Sequence, residues 1–378
     1  MKFVHLSDLH IGKRVNEISM LEDQKYILGK IIKIIKKSHA DAVIIAGDIY
    51  DKSVPSAEAV MVFDRFLTEL SELNIYIFII SGNHDSPERL AFGEQLLQKQ
   101  NIFISPVFDG DISPIRMQDE FGEVFVYLLP FIKPAHVRRV YPECEADNYS
   151  DAVKYVIDKM NVDDTKRNIL VAHQLVTGAG RCDSEDISVG GMDNVDVNVF
   201  EKFDYVALGH IHGPQNISSG NIRYCGTPLK YSFSEMKHVK SVTIVELKDK
   251  GTIETDTSNE LIPLHDVRVI RGRYMDITDR NYYRDTNTED YLHIILEDEN
   301  DIPDVMGRLR SIYPNIMKLD YDNERTRNNK KIDVIEDLDV KTPMQLIDEF
   351  FELQNNRKMN EVQEEIVTNI IDEVWGMN

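Results

Sequence analysis

Residues 75–85 read IYIFIISGNHD, an apolar run that stops abruptly on three polar side chains, Asn83, His84 and Asp85. Consecutive β-branched and aromatic residues without alternation suit a strand buried on both faces, as in a parallel sheet covered by helices. No hydrophobic interior favours Asn, His and Asp at the end of such a strand, so each must find a partner. The pattern recurs. FVHL at 3–6 leads into Ser7-Asp8-Leu9-His10, and AVIIAG at 42–47 leads into Asp48-Ile49-Tyr50-Asp51. NILVAH at 168–173 closes on His173, and YVALGH at 205–210 leads into His210-Ile211-His212. Segments 23–37, 57–70 and 87–100 have helical apolar spacing, and Pro55 and Pro87 suit the first turns of the last two. Strand and helix in alternation define an α/β fold. In open α/β sheets ligands bind outside the carboxyl ends of the strands, the edge to which these carboxylates, imidazoles and amide are delivered.

Composition limits what that edge can hold. The chain has 378 residues, 42% of them apolar, enough for one large domain and a smaller one. Its net charge of −22 excludes general electrostatic attraction to nucleic acid, so a phosphate-handling site must supply its positive charge locally. Cys144, Cys182 and Cys225 are odd in number and widely spaced, which argues against a disulfide framework or a cysteine-based zinc site. An N-terminus that reaches Asp8 without an apolar stretch, and the absence of any membrane-length apolar run, lead to the expectation of a cytoplasmic protein.

Bound metals meet the charge requirement. Asp, His and Asn without Cys suit a borderline-hard divalent ion such as manganese, with zinc, iron or magnesium as alternatives. The donors are too many for one ion with open positions and fit two ions roughly 3.5 to 4 Å apart. Asp48, in the central motif, is the natural shared ligand. Two divalent ions against the carboxylates of Asp8 and Asp48 leave a cationic site that attracts a phosphodiester and activates water.

The ordered set DLH, GDIYD, GNHD, a single His and GHIH over residues 8–212 resembles the calcineurin-like metallophosphoesterases. That resemblance implies a β-sandwich flanked by helices with a dinuclear centre. Protein phosphatases of the superfamily carry Arg-Gly after the second motif, where this chain has Lys52-Ser53. GDIYDKSVPS at 47–56, VGGMDNVDVNVFEKFDYVALGHIHGPQ at 189–215 and IRYCGTPLKYSFSE at 222–235 are similar instead to the SbcD family, nuclease subunits that process DNA breaks with a coiled-coil ATPase. Carried over by position, the resemblance puts Asp8, His10, Asp48 and His212 on one metal and Asp48, Asn83, His173 and His210 on the other. His84 would face the scissile phosphate, oriented by Asp51. The function implied is a manganese-dependent nuclease subunit, a single-strand endonuclease and, with its SbcC-like partner, an ATP-dependent double-strand 3′–5′ exonuclease. The alternative is hydrolysis of small phosphodiesters such as cyclic nucleotides.

Away from the metals, FIKPAHVRRV at 131–140 reads as a basic loop. Its Lys133, Arg138 and Arg139 are candidate DNA contacts, as are Lys13 and Arg14 beside the DLH motif. Asp85 reads either as a support behind the ligands or as a turn-forming residue, the second being favoured. From the change in pattern beyond 262 we expect a nuclease domain over 1–262, a small strand, strand, helix, strand module over 263–335 and terminal helices over 336–378. In the SbcD family the module caps the active site. The terminal segment holds eleven acidic and three basic residues, which excludes DNA contact. Its apolar stripes, Met344, Leu346, Ile347, Phe350 and Phe351, then Val362, Ile366, Ile370, Ile371, Val374 and Trp375, suit docking on a partner. The resemblance makes that partner the SbcC-like coiled-coil ATPase. It also implies that helices in 57–70 and 87–100 pair two nuclease subunits as a homodimer within a heterotetramer.

Overall fold

The structure, a computed structural model, describes residues 1–185, 193–218, 220–323, 326, 343–355 and 358–375. Residues 189–192 of the second SbcD-like stretch, the expected boundary at 335/336 and the side chains of Val374 and Trp375 lie outside the described residues. The chain divides into two compact units, Met1–Arg268 and Val269–Asn378.

The first unit contains two six-stranded sheets. One runs, edge to edge, Ile253–Glu260, Ser241–Leu247, Lys2–Leu6, Ala42–Ala46, Tyr76–Ile80, Ile102–Ile104. The other runs Gln215–Ile217, Ile222–Tyr224, Tyr205–Gly209, Arg167–His173, Gly122–Leu128, Ile115–Asp119. In both, the central strands are parallel and at least one edge is antiparallel. The central strands therefore end at one side of each sheet, and their end residues can meet.

Alternation explains why these strands read as continuous apolar runs. Phe3, Ala42, Ile44, Ala46, Phe78 and Ile80 face Val124, Val126, Ile169, Val171, Tyr205 and Ala207 across the sandwich. Val43, Ile45, Ile77 and Ile79 point the other way and are equally buried. Helices take up the outer faces. Leu21–Ser38 buries Ile27, Ile31 and Ile35, packs on strand Ser241–Leu247 and is packed in turn by Ala57–Ser71. On the opposite side Val153, Val156 and Ile157 of helix Tyr149–Lys159 join Leu170, Ala172, Val206 and Leu208 in a second core. A strand apolar on both faces is thus covered on both faces.

Two local readings are corrected. The helix expected over 87–100 is broken into Pro87–Leu90, Glu94–Leu97 and a short 3-10 turn at Gln98–Gln100. Gly93 interrupts it at φ 77°, a left-handed conformation that no helix continues through. The basic segment expected as a loop contains a helix, Pro134–Val140, with Pro134 in its first turn.

In the second unit, a three-stranded sheet orders Val267–Gly272, Tyr291–Leu296, Ile316–Tyr321, with helix Val305–Arg310 packed on the last strand. Ile270, Leu292, Ile294, Leu296, Leu309, Tyr313 and Ile316 form its own core. Helices Pro343–Asn355 and Glu361–Trp375 follow. Among the described residues no helix is long and apolar enough to cross a membrane.

The sandwich is also fastened at the end remote from the polar strand termini. Buried Arg167, at the start of its strand, donates to the Asp119 carboxylate at 3.1 Å and to the carbonyls of Lys248 at 2.9 Å and Gly122 at 2.6 Å. Arg167→Ala leaves the two carbonyls without their charged donor and the Asp119 carboxylate with the N-terminal ammonium of Met1, at 2.6 Å, as its remaining cation. We expect it to lower the unfolding free energy by about 1.5 to 3 kcal/mol, read as a lower urea midpoint. An unchanged midpoint would show that Arg167 is dispensable.

Candidate metal centre

The strand ends converge, and hydrogen bonds cross the sandwich there. His173 Nδ1 lies 2.8 Å from the carbonyl oxygen of Ala46, and the backbone N–H of His210 donates to the Asp8 carboxylate at 3.0 Å. The loops carrying DLH and GDIYD are stitched together by Asp8 N to Gly47 O at 3.0 Å and His10 N to Asp48 O at 2.9 Å. Asp8, His10, Asp48 and His210 all adopt positive φ, at 52°, 45°, 50° and 101°. Such conformations persist in non-glycine residues only where the surroundings enforce them, and they turn the side chains into one cluster.

That cluster holds all seven expected ligands. His173 Nε2 is 3.0 Å from Asn83 Oδ1 and 3.3 Å from Asp48 Oδ2, and His210 Nδ1 is 3.0 Å from the same Asn83 oxygen. On the other side His10 Nε2 is 3.2 Å from His212 Nε2 and 3.7 Å from Asp48 Oδ2. Donor atoms of Asp8, His10 and His212 lie within 4.8 Å of one another, as do those of Asp8, Asp48 and His173. Asp48 stands between the two groups.

The donors suit divalent metal by their chemistry. His10 and His212 direct ring nitrogens at each other where one hydrogen bond at most can form, and His10 Nδ1 is buried without a hydrogen-bond partner among the described residues. The tautomers are set from behind. With Nδ1–H of His173 on the Ala46 carbonyl, it is Nε2 that faces Asp48 and Asn83, the nitrogen whose lone pair becomes available once its proton leaves. Ser184 Oγ donates to Glu235 at 2.6 Å and so accepts from His212 Nδ1 at 2.8 Å, which leaves the His212 Nε2 lone pair pointing into the cluster. Glu235, fully buried, is held by Lys240 Nζ at 2.5 Å.

Electrostatics in the metal-free cluster follow from burial and pairing. Burial pushes the Asp48 carboxyl up, but His173, His10 and His84 outweigh it and hold it well below the usual range. Burial likewise works against a charged His173, yet Asp48 wins and raises it to about 9. Asp8 is raised to about 6 by burial, and burial with the charge of His173 lowers His210 to about 3.

His84 is not among the seven expected ligands, yet its ring offers a ligand atom within 4.8 Å of those of His10 and Asp48. Its Nδ1 lies 3.0 Å from the backbone carbonyl of Asp51, its N–H donates to Asp48 Oδ1 at 2.9 Å, and its Nε2 is 4.0 Å from Asp48 Oδ2. The Asp51 carboxylate instead pairs with Lys13 Nζ at 2.8 Å. Orientation of His84 through Asp51 therefore comes from the main chain. Asp85 is more than a turn residue: its buried carboxylate accepts from the N–H groups of Gly82 at 2.9 Å, Tyr50 at 3.0 Å and Ile49 at 3.1 Å, joining the GNHD and GDIYD loops. Of the basic candidates, Lys133 is exposed on the flank of the cluster beside Asn83 and His210. Arg14 is exposed and bonds the Glu17 carbonyl, Arg138 bonds the Ala146 carbonyl, and Arg139 is exposed on its short helix.

Sequence reading missed the supports. Gln24 Nε2 donates to the His10 carbonyl at 2.8 Å, and the Tyr231 hydroxyl donates to the Leu9 carbonyl at 2.6 Å, so both hold the DLH loop. Gln24 sits in no motif, and Tyr231 lies in the SbcD-like stretch 222–235. Glu235 lies in the SbcD-like stretch 222–235, which was the only signal pointing to it.

A two-sheet sandwich with a histidine and carboxylate cluster at its parallel strand ends defines a metal-dependent phosphoesterase, and comparison with known proteins agrees. Residues 1–214 match the calcineurin-like phosphoesterase family, and residues 263–355 match the family described as type 5 capsule protein repressor C-terminal domain. The chain is 32% identical to the SbcD component of the nuclease SbcCD from Staphylococcus epidermidis, over 98% of each chain. It belongs to the SbcD nuclease family within the calcineurin-like phosphoesterases, and it is a metal-dependent phosphodiester hydrolase. Two solved structures are more distantly similar: TT1561 of Thermus thermophilus at 14% identity and TM-score 0.40, and a dimetal phosphatase from Danio rerio at 12% and 0.38. Each covers 68% of this chain and 98% of the other.

Two measurements probe the cluster. A Cβ on Gly209 would lie 2.0 Å from the Ala46 carbonyl oxygen and 2.7 Å from His173 Nδ1, so Gly209→Ala must separate the sheets where they meet. We expect weaker metal binding by calorimetry from that change, and wild-type affinity would contradict the strand-end contact. Ligation also needs the lone pair of His173, which carries a proton at neutral pH because its value is raised to about 9. Metal uptake at pH 7 should release a proton, and apparent affinity should rise about tenfold per pH unit towards pH 9 and then level off. Uptake without proton release would exclude His173 as a ligand.

Proposed function

We propose that this chain is the nuclease subunit of a DNA-processing complex, holding two divalent ions, manganese by preference. In this reading Asp8, His10, Asp48 and His212 hold one ion, Asp48, Asn83, His173 and His210 hold the other, and Asp48 bridges them. The observation that carries it is the convergence of these side chains from both sheets, with His84 Nε2 4.0 Å from the Asp48 carboxylate; in this reading His84 acts on the phosphate and not on the metals. Bound ions supply Lewis-acid polarisation of the phosphate and activation of water. His84, its Nδ1–H donated to the Asp51 carbonyl, presents Nε2 to the substrate and in its protonated form gives that proton to the leaving oxygen. Lys13, Arg14, Lys133, Arg138 and Arg139 are the candidate contacts to the DNA backbone. The activities proposed are endonucleolytic cleavage of single strands and 3′–5′ degradation of duplex ends driven by the ATPase, in break and hairpin processing.

Partner binding is assigned to the C-terminal helices, in a division of the chain into nuclease domain 1–262, α/β module 263–335 and helices 336–378. Phe350, Val362, Ile366 and Ile370 are each more than half exposed, and the last three recur at four-residue spacing on one helical face. An SbcC-like coiled-coil ATPase is the proposed occupant. Exposed Val60, Met61, Phe92 and Leu96 suit pairing of two nuclease subunits within that complex. A single nuclease copy in the purified complex, by mass measurement, would sink the pairing.

The deciding assay incubates the protein and manganese with single-stranded DNA, a chromogenic phosphodiester and a cyclic nucleotide. Turnover of the cyclic nucleotide alone would overturn the nuclease reading. His84→Ala should retain both ions by elemental analysis and lose roughly 10² to 10⁴ in turnover. Asp51→Asn keeps the carbonyl that holds His84, so its loss should be far smaller, whereas Asp48→Asn should shed metal. Two full equivalents on the Asp48→Asn protein would refute the bridge.

Truncation after residue 340 should abolish co-purification with the ATPase while manganese-dependent cleavage of single strands persists. Continued co-purification would move the interface elsewhere.

A further inference from the structure

Asn83 and His210 also form one wall of a cavity of about 180 Å³, whose remaining walls include Phe131, Tyr149, Lys133 and Gln174, with Leu175 and with Asp193, which is paired with Arg181 at 3.3 Å. The Phe131 ring lies nearly parallel to the His210 imidazole, at 14° and 6.5 Å between centroids, which fixes it relative to the metal cluster. Tyr149 tilts at 40° to Phe131, also at 6.5 Å, and Lys133 Nζ stands 5.8 Å from the Phe131 centroid. Gln174 is wholly buried: its Nε2 donates to the Ile132 carbonyl at 3.1 Å, and its Oε1, without a hydrogen-bond partner among the described residues, is itself closed off from solvent. Except for Lys133 as a candidate backbone contact, the hydrolytic scheme uses none of these four residues.

Their chemistry narrows the ligand. An aliphatic ligand would leave the lysine unmatched, and a bare phosphate would make no use of the aromatic rings. Two aromatic rings beside one cation suit a planar ring attached to a phosphate. We propose that this cavity is a nucleobase subsite, in which the base of a nucleotide flanking the scissile phosphate unstacks and enters beside Phe131 and Tyr149 while Lys133 meets the adjoining backbone. The subsite rests on the DNA reading above and deepens it: stacking on aromatic side chains tolerates any base, as a nuclease without sequence preference requires. Unstacking is easiest in single-stranded DNA, so the cavity favours that substrate over an intact duplex.

The test compares single-stranded oligonucleotides that carry one abasic residue with the same strands fully based, mapping every cut in manganese. Wild-type protein should cut the bond next to the abasic residue about tenfold or more slowly than the same bond flanked by a base. In Phe131→Leu and in Tyr149→Leu that ratio should fall towards one, and because it is taken within each protein it does not depend on overall activity. Metal content is measured on both variants. If Phe131→Leu loses metal through its contact with His210, Tyr149→Leu, whose ring packs on Phe131, decides the matter, provided it retains its metal. A wild-type ratio of one at every position, or a Tyr149→Leu ratio equal to the wild-type value, would overturn the subsite alone. Wild-type protein that cleaves the chromogenic phosphodiester but no DNA would overturn the nuclease reading, and the subsite with it.

Discussion

His173 reaches the Ala46 carbonyl at 2.8 Å and the His210 amide reaches the Asp8 carboxylate at 3.0 Å, and these two contacts draw the sheets together at one end of the sandwich. Side-chain cores elsewhere keep the sheets apart; here a glycine, Gly209, admits the Ala46 carbonyl where any Cβ would collide. The close approach lets ligands from both sheets share one small volume. Without it, Asp8 and Asp48 would belong to one surface and His173 and His210 to another. Positive φ at Asp8, His10 and Asp48 is the conformational cost of turning each chain sharply at its strand end, offset by hydrogen bonds between the loops.

Charge in this molecule is arranged locally. A chain of net charge −22 repels DNA at long range, so any attraction depends on the cluster once metals neutralise it and on a few cations near it. Lys13 is drawn to Asp51, and the buried Lys240 balances Glu235 behind His212. These lysines hold loops and fix an imidazole, so their presence in the sequence is not by itself a nucleic-acid footprint. Lys133 differs, because it stands over an aromatic ring on the flank of the metal cluster.

The site is therefore layered, with candidate ligands on strand ends and their orientation set by residues far away in sequence. Glu235 and Ser184 fix the tautomer of His212, while Gln24 and Tyr231 hold the carbonyls of the DLH loop. Such supports reach the roughly 0.5 Å scale of precision that catalytic geometry demands only when buried and hydrogen-bonded, as Gln24, Tyr231 and Glu235 are.

By itself the sequence determined the strand ends, because a polar triplet after a doubly apolar strand has few physical explanations and five such ends in order leave fewer. It determined the metal chemistry through residue type, the alternation of strand and helix, and the acidic character of the terminal helices. Only the tertiary structure decided what depends on approach in space: that Asp51 serves His84 through its carbonyl while its carboxylate holds Lys13, that Asp85 joins two loops, and that Gln24, Tyr231 and Glu235 belong to the site at all. Spacing along a chain encodes which face a side chain occupies, but a main-chain acceptor has no residue identity, and a partner far away in the chain leaves no local pattern. For the same reason Gly93 broke a helix that apolar spacing alone had continued, and Pro134 began one where charge alone suggested a loop.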